Sequence, residues 1–510
     1  MPLNLKDLIV VLVLAAVVFK FAKPTALLFS SEKDFSRRRN LWYVLTIAAF
    51  LSPSFWLYVL IAAPFLLVSG RKDSNPAAMY LFLLHVIPPV STAIPLPGGA
   101  KLIEVSNSVL LSLCVIVPAI GRLRSAGDRD IRRLRTMDWC LIAYGILTSI
   151  LYVHLLAPDA TFYPFTYTDT LRRTLMFLIG VFAPYFLISR MTRNRPFILD
   201  SLAAFTVPCV VIAVIGIFEV AKGWLLYENI PERWELAATF TTYLVRGFSL
   251  RAMASTGHPL AMGYELAIAF GLWLCLAEYV ESRVMRWIVS LTLVLGLIAS
   301  YSRGPWACAL GIYVVFVFLK PRAVSGFVKS CLGAMLALVI VSLTPLGAKI
   351  AAVLPFLGGQ VDYANIDYRS RLWSEGWTIV KDHPIFGDQY ALARMQDLRQ
   401  GQGIVDFVNG YLAELLATGF VGLTLFLSVV LAGLRKVLAA SKAIKLTDQR
   451  FGMAGAGLAS CILGTLFLWA FGGPDPNVLW ALVALAVAYS YLGRSEAAVA
   501  PARTEPIWKR

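Results

Sequence analysis

A helix needs about 20 apolar residues to cross a bilayer at a rise of 1.5 Å per residue. Apolar runs of that order recur from Leu8 to Leu492. They are continuous in Leu, Val, Ala and Ile, without the period-two alternation of barrel strands, so the backbone satisfies itself in helices. The runs predict spans at about 41–51, 54–69, 77–92, 107–121, 138–157, 172–189, 197–221, 259–277, 287–301, 305–319, 328–346, 407–434, 451–472 and 478–493. The fold class expected is all-α, a polytopic membrane protein of about 14 transmembrane helices. The segment 8–30 either adds a fifteenth span or folds as a short hairpin, and its lack of a small-residue cleavage site reads as a retained segment.

Polar residues between the runs give the chain its sidedness. Lys and Arg gather at Lys33 to Arg39, Arg71-Lys72, Arg122 to Arg135, Arg190 to Arg195, Arg283 to Arg286 and Arg435 to Arg450, with a weaker group at Lys320-Pro321-Arg322. Short basic loops mark the cytoplasmic side, and these charges are expected to contact anionic lipid headgroups. The whole chain, 1–510, then reads as one integral membrane domain. Two long loops, 222–258 and 346–406, fall in the periplasm, and the tail 494–510 falls in the cytoplasm. A multi-pass membrane protein with both long loops on the translocated side is expected.

Composition agrees with this pattern: 58% of the 510 residues are hydrophobic and 15% charged, at a mean hydropathy of +0.71. The net charge of +16 is accounted for by the basic loops, so nucleic acid is not an expected partner. Seven cysteines lie in or beside apolar runs, and four histidines show neither HExxH pairing nor a Cys/His cluster. No metal and no cofactor are expected.

Arginine also occurs where it is unfavourable, on the translocated side: Arg233, Arg246, Arg251, Arg303, Arg369, Arg371, Arg394 and Arg399. An arginine at membrane level is rare unless it is paired or functional, and Arg303 sits in a tight turn between two apolar runs with no carboxylate nearby in sequence. The guanidinium fork matches phosphate oxygens bidentately, so an anionic ligand is the economical partner. Arg251 and Arg303, at span mouths, are the strongest candidates. For Arg233, Arg394 and Arg399 a surface ion pair or headgroup contact is the better reading. In the segment Tyr368 to Asp382, Trp373 and Trp377 share one helical face with Arg369 a turn earlier, which predicts an interfacial amphipathic helix.

Four motifs then stand in a specific order: Arg251-Ala-Met-Ala-Ser-Thr-Gly-His258-Pro-Leu-Ala-Met-Gly263, Ser302-Arg303-Gly304, Arg371 with Trp373 and His383-Pro-Ile-Phe-Gly387, and Asn409-Gly-Tyr411-Leu412 with Thr418-Gly419-Phe-Val-Gly422-Leu423. Together they resemble the O-antigen ligase and polymerase superfamily over about 200 residues, 237–434. The resemblance implies a fold related to the lipid-sugar-dependent (GT-C-like) glycosyltransferases and metal-independent transfer from an undecaprenyl-pyrophosphate-linked oligosaccharide. Ligases of this family open the span after the large loop with His-Asn. Here Val408-Asn409 stands there, preceded by Asp406, which points to a polymerase joining repeat units into exopolysaccharide or O-antigen. The alternatives are a ligase acting on lipid A core and, in another class, a flippase. Expected partners besides the bilayer are the flippase and chain-length or export proteins of the same pathway.

Transfer from a pyrophosphate requires neutralisation of the leaving group and positioning of the acceptor hydroxyl. Arg303 and Arg251 are expected at the pyrophosphate, with Arg246, Arg369 and Arg371 in support. His258, His383 and Asp406 are candidates for base or acceptor orientation, and Asn409 for substrate contact. The clustering of these residues toward one face favours an enzyme over a transporter with midplane sites.

Overall fold

A computed structural model describes residues 3–95, 101–125, 133–153, 167–191, 194–236, 245–246, 249–320, 363–399, 405–472 and 475–499. The helices in order are α1 (Leu3–Ala26), α2 (Glu32–Leu51), α3 (Phe55–Lys72), α4 (Pro76–Leu83), α5 (Asn107–Ser125), α6 (Thr136–Val153), α7 (Thr168–Met191), α8 (Arg195–Lys222), α9 (Asn229–Arg233), α10 (Pro259–Leu276), α11 (Arg283–Ala299), α12 (Arg303–Phe318), α13 (Tyr363–Asp382), α14 (Gly410–Ile444), α15 (Gln449–Trp469) and α16 (Pro476–Val499). Among the described residues eight helices are long and apolar enough to cross a membrane, and two shorter apolar ones include α12. The chain is an all-α, multi-pass membrane protein. The expected span 328–346 and the end of the tail lie outside the described residues.

The most deeply buried spans are α8, α10 and α15, which are apolar around their whole circumference, as helices enclosed by other helices must be. Small residues bring α10 and α15 close: a Cβ on Gly271 would stand 2.6 Å from Cys461 Sγ, and one on Gly457 would stand 2.8 Å from Cys275 Sγ. Such contacts substitute in lipid for a hydrophobic driving force.

Three expectations change. Of the two alternatives for the segment 8–30 the hairpin drops out, since a single helix runs to Ala26. The span expected at 77–92 is not one helix, because Pro88-Pro89 cannot continue it. Helix α4 stops at Leu83, and the chain turns into an antiparallel hairpin of β1 (Ser91–Pro95) and β2 (Lys101–Ser106) before returning through α5. The side-chain amide of Asn107 caps the broken end, donating to the carbonyls of Leu83 (3.0 Å) and Leu84 (2.9 Å). Irregular backbone is tolerated at membrane depth only where protein or an aqueous cavity surrounds it.

The third change concerns the basic loops. Arg38 and Arg190 do not reach headgroups but are among the largest fully buried side chains. Arg38 lies 2.7 Å from both Asp73 and Asp200, and Asn75 Nδ2 donates to Asp200 Oδ2 at 3.0 Å. Arg190 pairs with Asp138. A guanidinium out of water must be paired and hydrogen-bonded, and two of the partners come from other spans.

Candidate functional site

The site begins at the turn Ser300–Ser302 between α11 and α12. Tyr301 takes a φ of +45°, unusual for a residue with a side chain. Ser300 Oγ donates to Leu297 O (2.7 Å) and Ser302 Oγ to Ser300 O (3.0 Å), which fixes the turn. Arg303 is the first residue of α12. The unpaired N–H groups of a helix start already carry partial positive charge, so an arginine there is unfavourable unless an anion joins it.

The second arginine arrives at the same turn. Ala252 N donates to Ala299 O (3.0 Å), and Arg251 donates from Nε to Ser300 O (3.2 Å) and from Nη2 to Ser302 Oγ (2.7 Å). Arg251, distant in sequence, is therefore brought to the residue that precedes Arg303. The loop bearing Arg251 is fixed from below by Glu219 near the end of α8. One carboxylate oxygen accepts the amides of Met253 (3.0 Å) and Ala254 (2.9 Å), and the other accepts Leu226 N (3.0 Å). This holds Ala254 at a φ of +44°.

His258 ends the loop as the N-cap of α10, its Nδ1 accepting Leu260 N at 3.1 Å. Burial, reinforced by Arg251, pushes its pKa down to about 4. The imidazole is neutral at physiological pH and one nitrogen is committed to the cap.

A second group faces this turn. The Tyr264 hydroxyl donates to Phe471 O (2.8 Å) and stands 4.0 Å from where a Cβ on Gly304 would lie. Arg369 and Asp406 lie within electrostatic reach of the same hydroxyl. Asp406 is exposed as a residue, yet the crowding around its carboxyl raises the pKa, with Arg369 pulling the other way. Tyr368 links α13 to this point: its hydroxyl donates to Asp406 O (3.1 Å) and accepts Asp406 N (2.9 Å).

Other expected residues do not join. Arg371 is exposed and lies 3.5 Å from Glu375 one helical turn on. His383 is exposed. Asn409 is the N-cap of α14, its Oδ1 accepting Tyr411 N (3.0 Å) and Leu412 N (3.2 Å), so its side-chain oxygen is used structurally. Arg246 lies on the two-residue strand β3 (Val245–Arg246), paired with β4 (Ser249–Leu250), and its side chain lies outside the described residues. Two further arginines have partners in the protein: Arg394 pairs with Asp388 (2.8 Å), and Arg233 donates to Phe50 O (2.6 Å) and Ala49 O (2.7 Å), capping α2.

The motif His383–Gly387 has a structural task. Helix α14 is broken at Gly419 (φ 63°, ψ −167°), and the loop enters the break. Phe420 N donates to Pro384 O (2.9 Å), Val421 N to Ile385 O (3.2 Å), and Asp388 N to Leu416 O (2.7 Å). Gly387 has a φ of +70°. Leu372 and Val380 of α13 pack with Leu412, Leu415 and Leu416 of α14, while Trp373 and Trp377 stack on each other at 5.8 Å on the neighbouring face.

Residues 288–427 match the family model described as O-antigen ligase. The match contains the Ser302-Arg303-Gly304 turn, helix α13 and the interlocked break in α14. No curated protein matches the chain significantly. The match spans 140 of the 510 residues and supports the resemblance to the O-antigen ligase and polymerase superfamily over that segment.

Proposed function

We propose that this protein is a polysaccharide polymerase that faces the periplasm and joins undecaprenyl-pyrophosphate-linked oligosaccharide repeats into O-antigen or exopolysaccharide. The observation that carries the reading is that Arg251 reaches the hydroxyl of Ser302, the residue next to Arg303 at the start of α12. In transfer from a lipid pyrophosphate, negative charge grows on the leaving group as its bond to the anomeric carbon lengthens. Arg251, held at the turn, together with Arg303 and the helix start stabilises that charge. Arg369, Asp406 and Tyr264 lie across from the turn and bind sugar hydroxyls. His258 shapes the loop and binds as a neutral imidazole. Helix α13 lies at the interface and presents its first turn to a lipid-borne substrate. The presence of Val408 where family ligases carry His favours polymerisation.

Arg303→Lys keeps the charge and loses the fork, so elongation of lipid-linked repeats by purified protein should fall on the order of a hundredfold. Wild-type elongation by this variant would make Arg303 a headgroup anchor and remove the proposed site. The family model's own description favours a second reading, transfer of a finished chain to lipid A core. Cells lacking the protein separate the two readings. Single repeats on the carrier indicate a lost polymerase, full-length chains a lost ligase, and cytoplasmic accumulation a lost flippase, which would overturn the enzyme.

A further inference from the structure

Beneath the site lies a second polar group that the transfer of charge to pyrophosphate does not use. Glu265, in the second turn of α10, is 1% exposed inside an apolar span. His85, just past the broken end of α4, places Nε2 3.5 Å from Glu265 Oε1 and 3.9 Å from Asp475 Oδ2. Side-chain exposure rises along this series, from 2% at Glu265 through 12% at His85 to 31% at Asp475. Among the described residues, Glu265 Oε2, His85 Nε2 and the Tyr80 hydroxyl of α4 are buried polar atoms without a hydrogen-bond partner. Buried carboxylate and imidazole are costly in a membrane unless they carry out a task. The chain also interrupts a helix to bring His85 here, and the negative end of a helix favours a protonated imidazole.

This group adjoins the site on two sides. Ser255, in the loop between Arg251 and His258, donates its hydroxyl to His85 O at 2.6 Å. Asp475 follows the turn whose Phe471 O accepts Tyr264 and whose Gly472, given a Cβ, would lie 4.0 Å from the Tyr264 hydroxyl. Asp475 Oδ1 is occupied by Asn477, which donates from N (2.9 Å) and Nδ2 (2.7 Å), leaving Oδ2 toward His85. The other titratable groups in reach are Tyr80 on α4 and Cys209 on α8.

We propose that Asp475, His85 and Glu265 form the proton-accepting relay of the transfer reaction. The inference rests on the glycosyl-transfer reading above. The acceptor hydroxyl oxygen bonds to the anomeric carbon, and the carbon–oxygen bond to pyrophosphate breaks with its electron pair leaving on the phosphate. The hydroxyl proton passes to Asp475, and His85 shares it with Glu265 until it returns to the outer solvent through Asp475. Asp475 is the catalytic base, and His85 and Glu265 act through it.

The test uses full-length protein in nanodiscs with a lipid-linked repeat as substrate. Asp475→Asn should lower kcat by roughly a hundredfold or more, the contribution typical of a positioned base, with the donor KM within about twofold. Glu265→Gln removes the charge behind His85, so the acid limb of the pH–rate profile should move to lower pH. Wild-type kcat in the first variant, or an unmoved limb in the second, overturns the relay while Arg303→Ala still reports on the transfer reading. Should Glu265→Gln fail to fold, Asp475→Asn carries the test, since its side chain is partly exposed on a turn. A wild-type protein that elongates nothing overturns both.

Discussion

His258 shows how a candidate catalytic residue can also be a helix cap. Its position at a span mouth after Arg251 makes it a candidate for base or acceptor orientation, while its Nδ1 is bound to Leu260 N and its pKa is pushed down to about 4. Asn caps helices well, so His258→Asn should keep the fold and retain activity to within about tenfold, whereas His258→Ala should lose about 1 kcal/mol of cap. Elongation by His258→Asn at a thousandth of the wild-type rate would restore the base. The sign of its pH effect follows from linkage. A folded pKa below the unfolded value of about 6.5 means the unfolded chain takes the proton first, so stability is lost as pH falls from about 6.5 toward 4. Thermal unfolding of His258→Asn should depend less on pH across that window than wild type. Arg251 and Arg303 were legible because arginine at a span mouth is expensive. Glu219 and Tyr264 were not, because nothing in the chain shows which distant backbone amides or turn they meet. A lone carboxylate near the end of an apolar run was the available signal for Glu219.

At the scale of elements, hydrophobic runs located most helices, and prolines marked where they fail. Pro88-Pro89 was visible inside the run 77–92, yet run length alone concealed the half-helix α4 and the hairpin behind it. The amphipathic reading of α13 identified its tryptophan face, while the burial of Leu372 and Val380 against α14 depends on a partner element that periodicity does not reveal. The break in α14 tests the structural reading of two motifs. A Cβ at Gly419 would collide with Ile385 O in a backbone region that side chains avoid. Gly419→Ala should therefore destabilise the protein by on the order of 1–3 kcal/mol, read as a lower unfolding temperature in detergent. Unchanged stability would mean that the loop and the span are not interlocked.

For the whole molecule, sidedness is the claim most open to direct measurement. Ser374 on α13 and Ser125 at the end of α5 are both exposed. A cysteine at Ser374 should react with a membrane-impermeant thiol reagent in intact spheroplasts, and one at Ser125 should not. Reversed labelling would turn the molecule over and place the site in the cytoplasm. Purified protein should also elongate lipid-linked repeats in excess EDTA, and a strict requirement for a divalent ion would displace the arginines as the leaving-group clamp. The buried pairs of Arg38 with Asp73 and Asp200 tie α2, the C-terminal cap of α3 and α8 together. The basic clusters read as lipid-facing thus also supply internal joints, since charge alone does not say which way an arginine points.

The interlock at Gly419 also constrains how the protein is made. Residues 384–388 leave the ribosome before residues 416–421, so the loop is made before the span whose amides it accepts. A span broken at Gly419 and threaded alone would carry unsatisfied amides into lipid. Synthesis in chain order instead delivers the broken span to a loop already waiting with the missing acceptors, and a circular permutation that put α14 first would reverse that order.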